Sequence, residues 1–188
     1  MEKYLEGPLR SAIGFLEGAG YRYAIIGGIA LSQWGVIRAT QDVDIKVLVP
    51  NAEYPSARQA IRMAFPTVAR TQIEKNPLIV AVEIEEVIVD FLLALPGYEE
   101  LIIERAVQRD LDGWSAWICA AEDLVIQKVA AGRGKDWLDV EGLLIEQHNR
   151  LDLTYIENWI SQFAEALEEP ELLTRYRQLV TEVERLFK

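Results

Sequence analysis

Tyr23-Ala-Ile-Ile-Gly-Gly-Ile-Ala-Leu-Ser-Gln-Trp-Gly-Val-Ile-Arg-Ala-Thr-Gln-Asp-Val-Asp-Ile-Lys-Val-Leu-Val49 is the stretch on which the reading of this chain turns. The apolar run from Tyr23 to Ile26 predicts a buried strand that stops at Gly27-Gly28. A short amphipathic helix is expected next, with Ile29, Leu31, Trp34 and Val36 among its apolar positions. A second strand then opens at Asp42-Val-Asp-Ile45 and continues to Val49. Strand side chains alternate faces, so Asp42 and Asp44 point one way and Val43 and Ile45 the other. Two carboxylates fixed side by side repel each other and resist desolvation. A divalent cation relieves both, and hard oxygen ligands of this kind suit Mg²⁺. Gly27 and Gly28, lacking Cβ, allow close approach to the backbone at a strand-to-helix turn, where free N–H groups make a phosphate site. A phosphate cradle beside a two-carboxylate metal site is equipment for phosphoryl or nucleotidyl transfer. The plainer alternative is a tight turn followed by a strand with two solvated aspartates.

Farther along, Leu78 to Ile84 and Val87 to Leu93 form two β-rich runs about a Glu85-Glu86 turn, which predicts an antiparallel hairpin. Asp90 stands alone among Val89, Phe91 and Leu92, where a carboxylate needs compensation. A polar sheet face or a strand end would supply it.

These residues carry a resemblance. Gly27-Gly28 followed by Arg38-Ala-Thr40-Gln-Asp42-Val-Asp44-Ile resembles the signature of the polymerase-β-like nucleotidyltransferase superfamily, in its stand-alone bacterial branch. Many members carry serine after the first glycine, where this chain has Gly28. The resemblance implies a nucleotidyltransferase fold, an α/β domain with a small mixed sheet flanked by helices. It implies that Gly27 and Gly28 hold the triphosphate, with Arg38 and Thr40 at the edge of the site. Asp42, Asp44 and Asp90 would be the catalytic and metal-binding trio, holding two Mg²⁺ ions, with Asp90 activating the acceptor hydroxyl.

From Ala120 the chain reads as helices, which predicts a catalytic domain over 1–119 and a helical region over 120–188 packing on it. The first helix carries Leu124, Val125, Ile126 and Val129. The next starts around Lys135-Asp136, with Leu138, Leu143 and Leu144 as core positions. Lys128, Arg133 and Lys135 cluster at the corner between them, either as solvated surface or as contacts for a triphosphate. Glu122-Asp-Leu-x-x-x-Lys128, then Ala130-x-Gly-Arg133-x-Lys135-Asp136-x-x-Asp139, is similar to the downstream motif of abortive-infection (AbiEii-type) toxin nucleotidyltransferases. That resemblance favours the nucleotide-binding reading of Lys128, Arg133 and Lys135. It implies a toxin acting on a tRNA or protein acceptor, with an antitoxin protein as partner. The alternatives are an antibiotic-modifying nucleotidyltransferase with a small-molecule acceptor, or a nucleotide-binding module without catalysis.

The remaining sequence is read more briefly. Leu9, Ala12, Ile13 and Leu16 predict a first helix starting near Gly7-Pro8, residues 53–65 a further helix, and residues 97–108 another. Asp112-Gly113 between β-prone flanks is a hairpin signal, and Trp114 and Trp117 are expected to pack or pave surface rather than stack a base. His148, the single histidine, is expected to cap a helix at the surface. Two helices should close the chain, the second with Leu172, Tyr176, Leu179, Val183 and Leu186 along one stripe. A net charge of −11 argues against general binding of duplex DNA. No apolar window is long enough to span a membrane, no signal peptide is visible, and the lone Cys119 fits a reducing cytoplasm as a buried thiol.

Overall fold

Strand β2 (Asp42–Leu48) lies inside a six-stranded mixed sheet of order β3-β4-β2-β1-β6-β5. This computed structural model describes residues 2–68 and 76–188. The other strands are β1 (Arg22–Ile25), β3 (Ile79–Ile84), β4 (Val87–Leu93), β5 (Val107–Asp110) and β6 (Ser115–Ile118). β2 pairs antiparallel with β1 and parallel with β4, while β6 runs parallel to β1. The two outer pairs are hairpins. Glu85 and Glu86 turn β3 into β4 with φ of 51° and 67°, and Asp112 and Gly113 turn β5 into β6 with φ of 59° and 94°. Both turns place two consecutive residues in the left-handed region, the form that matches strand twist.

The sheet's two faces differ in chemistry because alternation sorts them. Val43, Ile45 and Val47 of β2 share a face with their partners Val89, Phe91 and Leu93 of β4, and all six are buried. Helix α1 (Glu6–Gly18) and the end of α3 (Tyr54–Ala64) supply the cover. The Phe15 ring meets Phe65 edge-on at 5.4 Å and Phe91 at 6.5 Å, and Phe65 stacks on Phe91 at 6.1 Å. The opposite face carries Asp42, Asp44 and Lys46 with Ile88, Asp90 and Leu92. Helix α4 (Tyr98–Glu104) covers the Lys46 end of that face.

The chain divides into two compact units. One holds residues 1–30 and 38–119; the other holds 31–37 and 120–188. Helix α2 (Gly27–Gln33) begins in the first unit, and its last turn counts with the second. The second unit is built from α5 (Ala121–Ala131), α6 (Gly134–Glu146), α7 (Leu153–Ala166) and α8 (Glu171–Leu186). Its segment 31–37 is tied in by Gln147 Nε2, which donates to the Trp34 carbonyl at 2.8 Å. Tyr155 donates its hydroxyl to the fully buried Asp123 at 2.9 Å, and Asp152 caps α7 by accepting from the Tyr155 N–H.

Four expectations need correction. α2 ends at Gln33, so Trp34 and Val36 lie beyond it in a chain turned by Gly35. The helix expected over 97–108 stops at Glu104, because Val107 to Asp110 alternate as a strand against β6. Leu138 is 69% exposed, since α6 turns Trp137 and Val140 inward instead. Leu186 is 68% exposed, where the apolar stripe of α8 outruns its partners. His148 follows α6 half-buried, its ring stacked on Phe187 at 3.9 Å. Trp114 packs beneath the Arg10 guanidinium at 4.7 Å, and Trp117 is partly exposed. Cys119 is fully buried, its N–H donating to the Ile25 carbonyl at 2.9 Å. No described helix is long and apolar enough to cross a membrane.

Candidate active site

The carboxylate face of the sheet follows from one register. In the parallel β2–β4 pair Asp44 stands opposite Asp90, and Asp42 stands opposite Ile88. Paired residues of adjacent strands share a face, so residues 46 apart in sequence become neighbours. Asp42 and Asp44 are half-buried, and Asp90 is buried at 5% exposure.

Gly27 and Gly28 complete this edge of the first unit. Gly27 has φ +64°, and a Cβ built there would overlap the Asp44 Oδ2. The Asp44 carboxylate therefore lies directly against the backbone that opens α2. A Cβ at Gly28 would fall 2.6 Å from the Thr40 Cβ. Thr40 in turn donates its hydroxyl to the Asp42 carbonyl at 3.2 Å and approaches Asp42 Oδ1 at 3.4 Å. Its own carbonyl accepts from the Tyr4 hydroxyl at 2.7 Å. Arg38 lies exposed in the connection leading to β2. The structure thus gathers Gly27, Gly28, Thr40, Asp42, Asp44 and Asp90 in one region of one unit.

Among the described residues no three His, Cys, Asp or Glu side chains are placed to hold a metal ion by themselves. The donor set still fits a hard divalent cation. Mg²⁺ is ordinarily bound through one or two carboxylates together with substrate phosphates, not inside an all-protein cage. Gly27, with no Cβ, leaves the room that the Asp44 carboxylate occupies beside the backbone.

One charged residue on this face was missed from sequence. Lys46 is only 4% exposed, and its Nζ donates to Glu99 Oε1 at 2.5 Å. Glu99 Oε2 accepts the Leu95 N–H at 2.7 Å, fixing the carboxylate at the start of α4. A lysine inside Asp-Ile-Lys-Val-Leu at carboxylate-face parity was the available signal. Its partner lies 53 residues away, which no local pattern reveals.

In the second unit the three candidate cations separate. Lys128 Nζ donates to Asp136 Oδ1 at 3.1 Å and Asp139 Oδ2 at 2.7 Å. Arg133 grips Asp136 with two nitrogens, Nε at 2.5 Å and a terminal nitrogen at 3.1 Å. Both aspartates are buried, so Lys128 and Arg133 already answer to carboxylates of their own unit. Lys135 is exposed. Burial alone would raise the Asp136 carboxyl, but its hydrogen bonds to Arg133 and Lys128 outweigh that and hold it below the usual carboxylate range. A carboxyl lowered by folding stabilises the fold above its unfolded value of about 4 and loses that contribution as pH falls through the folded one. Urea midpoints across the acid range should therefore drop steeply for the wild type and more shallowly for Asp136→Asn. Parallel acid limbs would show that this carboxyl is not a source of acid sensitivity.

Comparison with known proteins gives the following. The sequence profile of the family described as nucleotidyl transferase of unknown function (DUF2204) matches residues 6–178. No curated protein matches significantly. Among solved structures, the antibiotic-resistance factor ANT(2'')-Ia in solution aligns with a TM-score of 0.60 at 13% identity, covering 91% of this chain and 97% of that one. Its crystal structure in complex with adenylyl-2''-tobramycin aligns with a TM-score of 0.55 at 14% identity, covering 85% and 97%. An antigenic nucleotidyltransferase-like protein from Paracoccidioides brasiliensis aligns with a TM-score of 0.51 at 16% identity, covering 89% and 91%. At such identities the structures speak for the fold, the mixed sheet with flanking helices. The profile spans most of the chain and settles membership: the chain belongs to the DUF2204 nucleotidyl transferase family and is a nucleotidyltransferase.

Proposed function

We propose that this nucleotidyltransferase moves NMP from an NTP to an acceptor hydroxyl, with Asp42, Asp44 and Asp90 as its catalytic carboxylates. The observation that carries the proposal is the register of Asp44 against Asp90, with Gly27 left open for the Asp44 side chain. Asp42 and Asp44 would hold Mg²⁺, with Asp90 at a second ion. Bound there, the ions would neutralise triphosphate charge and make the acceptor hydroxyl easier to deprotonate. In the step itself the acceptor oxygen forms a bond to the α-phosphorus while the bond from that phosphorus to the β-phosphate bridge breaks. Pyrophosphate leaves with the bonding pair, and Asp90 takes the acceptor's proton. The N–H groups that open α2 at Gly27 and Gly28 receive phosphate oxygens. Thr40 keeps its place beside Gly28, and Arg38 contributes charge at the edge. Lys128 and Arg133 serve Asp136 and Asp139 first.

The test is calorimetry with a non-hydrolysable NTP. Binding should be tight with Mg²⁺ and weak with EDTA, and equal affinity in both would overturn the metal site. Asp90→Asn should keep NTP affinity within a few-fold while pyrophosphate release falls by about 10²-fold or more, the scale of a lost positioned base. Release at the wild-type rate would leave Asp90 a structural residue.

For the acceptor, the similarity of the rear motif to abortive-infection toxins supports a tRNA or protein hydroxyl, a cytoplasmic toxin and an antitoxin partner. A second reading is favoured by the first unit itself. A cavity of about 530 Å³ beside Asp42 is lined by Tyr4, Glu85 and Glu86. An acid-walled cavity favours a cationic small-molecule acceptor over a polyanionic tRNA. Expression without a partner distinguishes the two: arrested growth supports the toxin, and resistance to a cationic antibiotic with unharmed growth supports the small-molecule enzyme.

A further inference from the structure

At the other end of β1 from Gly27, five residues and about 16 Å along the strand, the first unit has a second cavity, of about 250 Å³. Among its lining residues Tyr23, Ile103 and Ala106 are buried. Two further lining residues are aromatic. Tyr21 is half-buried, and Trp117, on β6, keeps 43% of its surface exposed. Its charged lining residues are Glu17, Glu104 and a single cation, Arg22.

The chemistry of this lining has a direction. Tyr23 donates its hydroxyl to Glu17 Oε1 at 3.2 Å, which holds one carboxylate of the lining. Burial, then the Glu17 charge, push the Tyr23 phenol well above its usual range, so it stays neutral and remains a donor. Aromatic faces carry negative charge density and attract cations, more strongly when a partly desolvated site adds carboxylates. Anions would meet two carboxylates and the negative faces of the rings. A neutral apolar guest would leave the lining charges unused. We propose that this cavity is a binding site for a small organic cation, a guanidinium or quaternary ammonium group held against Trp117 and Tyr21 and answered by Glu17 and Glu104. The site is separate from the carboxylate face and does not depend on the nucleotidyl-transfer reading.

The experiment is an NMR titration of the ¹⁵N-labelled full-length protein with argininamide, tetramethylammonium chloride and a short peptide carrying one internal arginine. The indole N–H signal of Trp117 is identified as the one missing from Trp117→Leu. Saturable movement of that signal is expected with a Kd on the order of 1 mM or tighter, the strength of a cation–aromatic contact assisted by carboxylates. A free cation binding as tightly as the peptide assigns the site to small molecules, and a tighter peptide assigns it to an arginine side chain of a partner. Trp117→Leu should weaken binding about tenfold, and Glu104→Gln, at an exposed position, about threefold or more. Arg22→Gln should tighten it, because the competing positive charge is gone. Absence of saturable shifts with all three probes overturns the site. So does unchanged affinity in both Trp117→Leu and Glu104→Gln, or weaker cation binding in Arg22→Gln.

Discussion

Lys128→Ala should lower the unfolding free energy by about 3–5 kcal/mol, the scale of breaking a buried ion pair from one side. The lysine side chain is 12% exposed, and its ammonium bridges Asp136 and Asp139. Without it, Asp139 is left as a buried carboxylate without its lysine. Asp136 retains only Arg133, which reaches in from the surface. Urea denaturation at neutral pH should therefore show a lower midpoint with an unchanged slope. Lys128→Met in an Asp136→Asn, Asp139→Asn background should recover much of the loss, because an apolar and amide set leaves no buried lone charge, the Arg133 side chain being 61% exposed. A single variant within about 0.5 kcal/mol of wild type, the ordinary range for surface substitutions, would show the lysine to be a surface residue whose charge serves something else.

Gly27→Ala should nearly abolish nucleotidyl transfer while leaving the protein folded. Two costs coincide at this position. An L side chain at φ +64° costs about 1–2 kcal/mol, and the added methyl occupies the space of the Asp44 carboxylate. The chain resolves the overlap by moving Asp44 or by shifting the start of α2, and either one displaces a group that the proposed site sets around the metal and triphosphate. Misplacement of about 1 Å at such a site costs about 10²-fold in rate. Pyrophosphate release should fall by that factor, and Mg²⁺-dependent NTP binding should weaken with it. Gly14→Ala is the matched control. That position in α1 has open space around it, so the substitution should be neutral or stabilising by about 0.5–1 kcal/mol. Full activity in Gly27→Ala would remove the glycine from the site.

The parts of this structure that the sequence makes legible are those fixed by local pattern. Asp42-Val43-Asp44 alternates cleanly, and two apolar runs interrupted at Glu85-Glu86 can hardly be other than a hairpin. Asp112-Gly113 is a turn for a stereochemical reason, and the structure places it as expected. What local pattern does not carry is which face a marginal helix presents. Leu138 and Trp137 are adjacent, and only the packing of α6 decides that the tryptophan turns inward. Charge partners are the larger omission. From sequence Lys128, Arg133 and Lys135 form one cluster, yet the fold gives the first two to Asp136 and Asp139 and leaves the third exposed. The pairing of Lys46 with Glu99 is hidden for the same reason: it depends on where α4 lies over the sheet.

The buried thiol of Cys119 has a practical meaning. It is the only cysteine in the chain, it closes the first unit, and it sits where β6 hands over to α5 with its N–H held by β1. A thiol reagent can reach it only when the structure around it opens. Its labelling rate in native buffer is therefore a clock for that opening, readable without any engineered probe. Comparing the clock with and without an NTP and Mg²⁺ would measure whether ligand binding slows that opening.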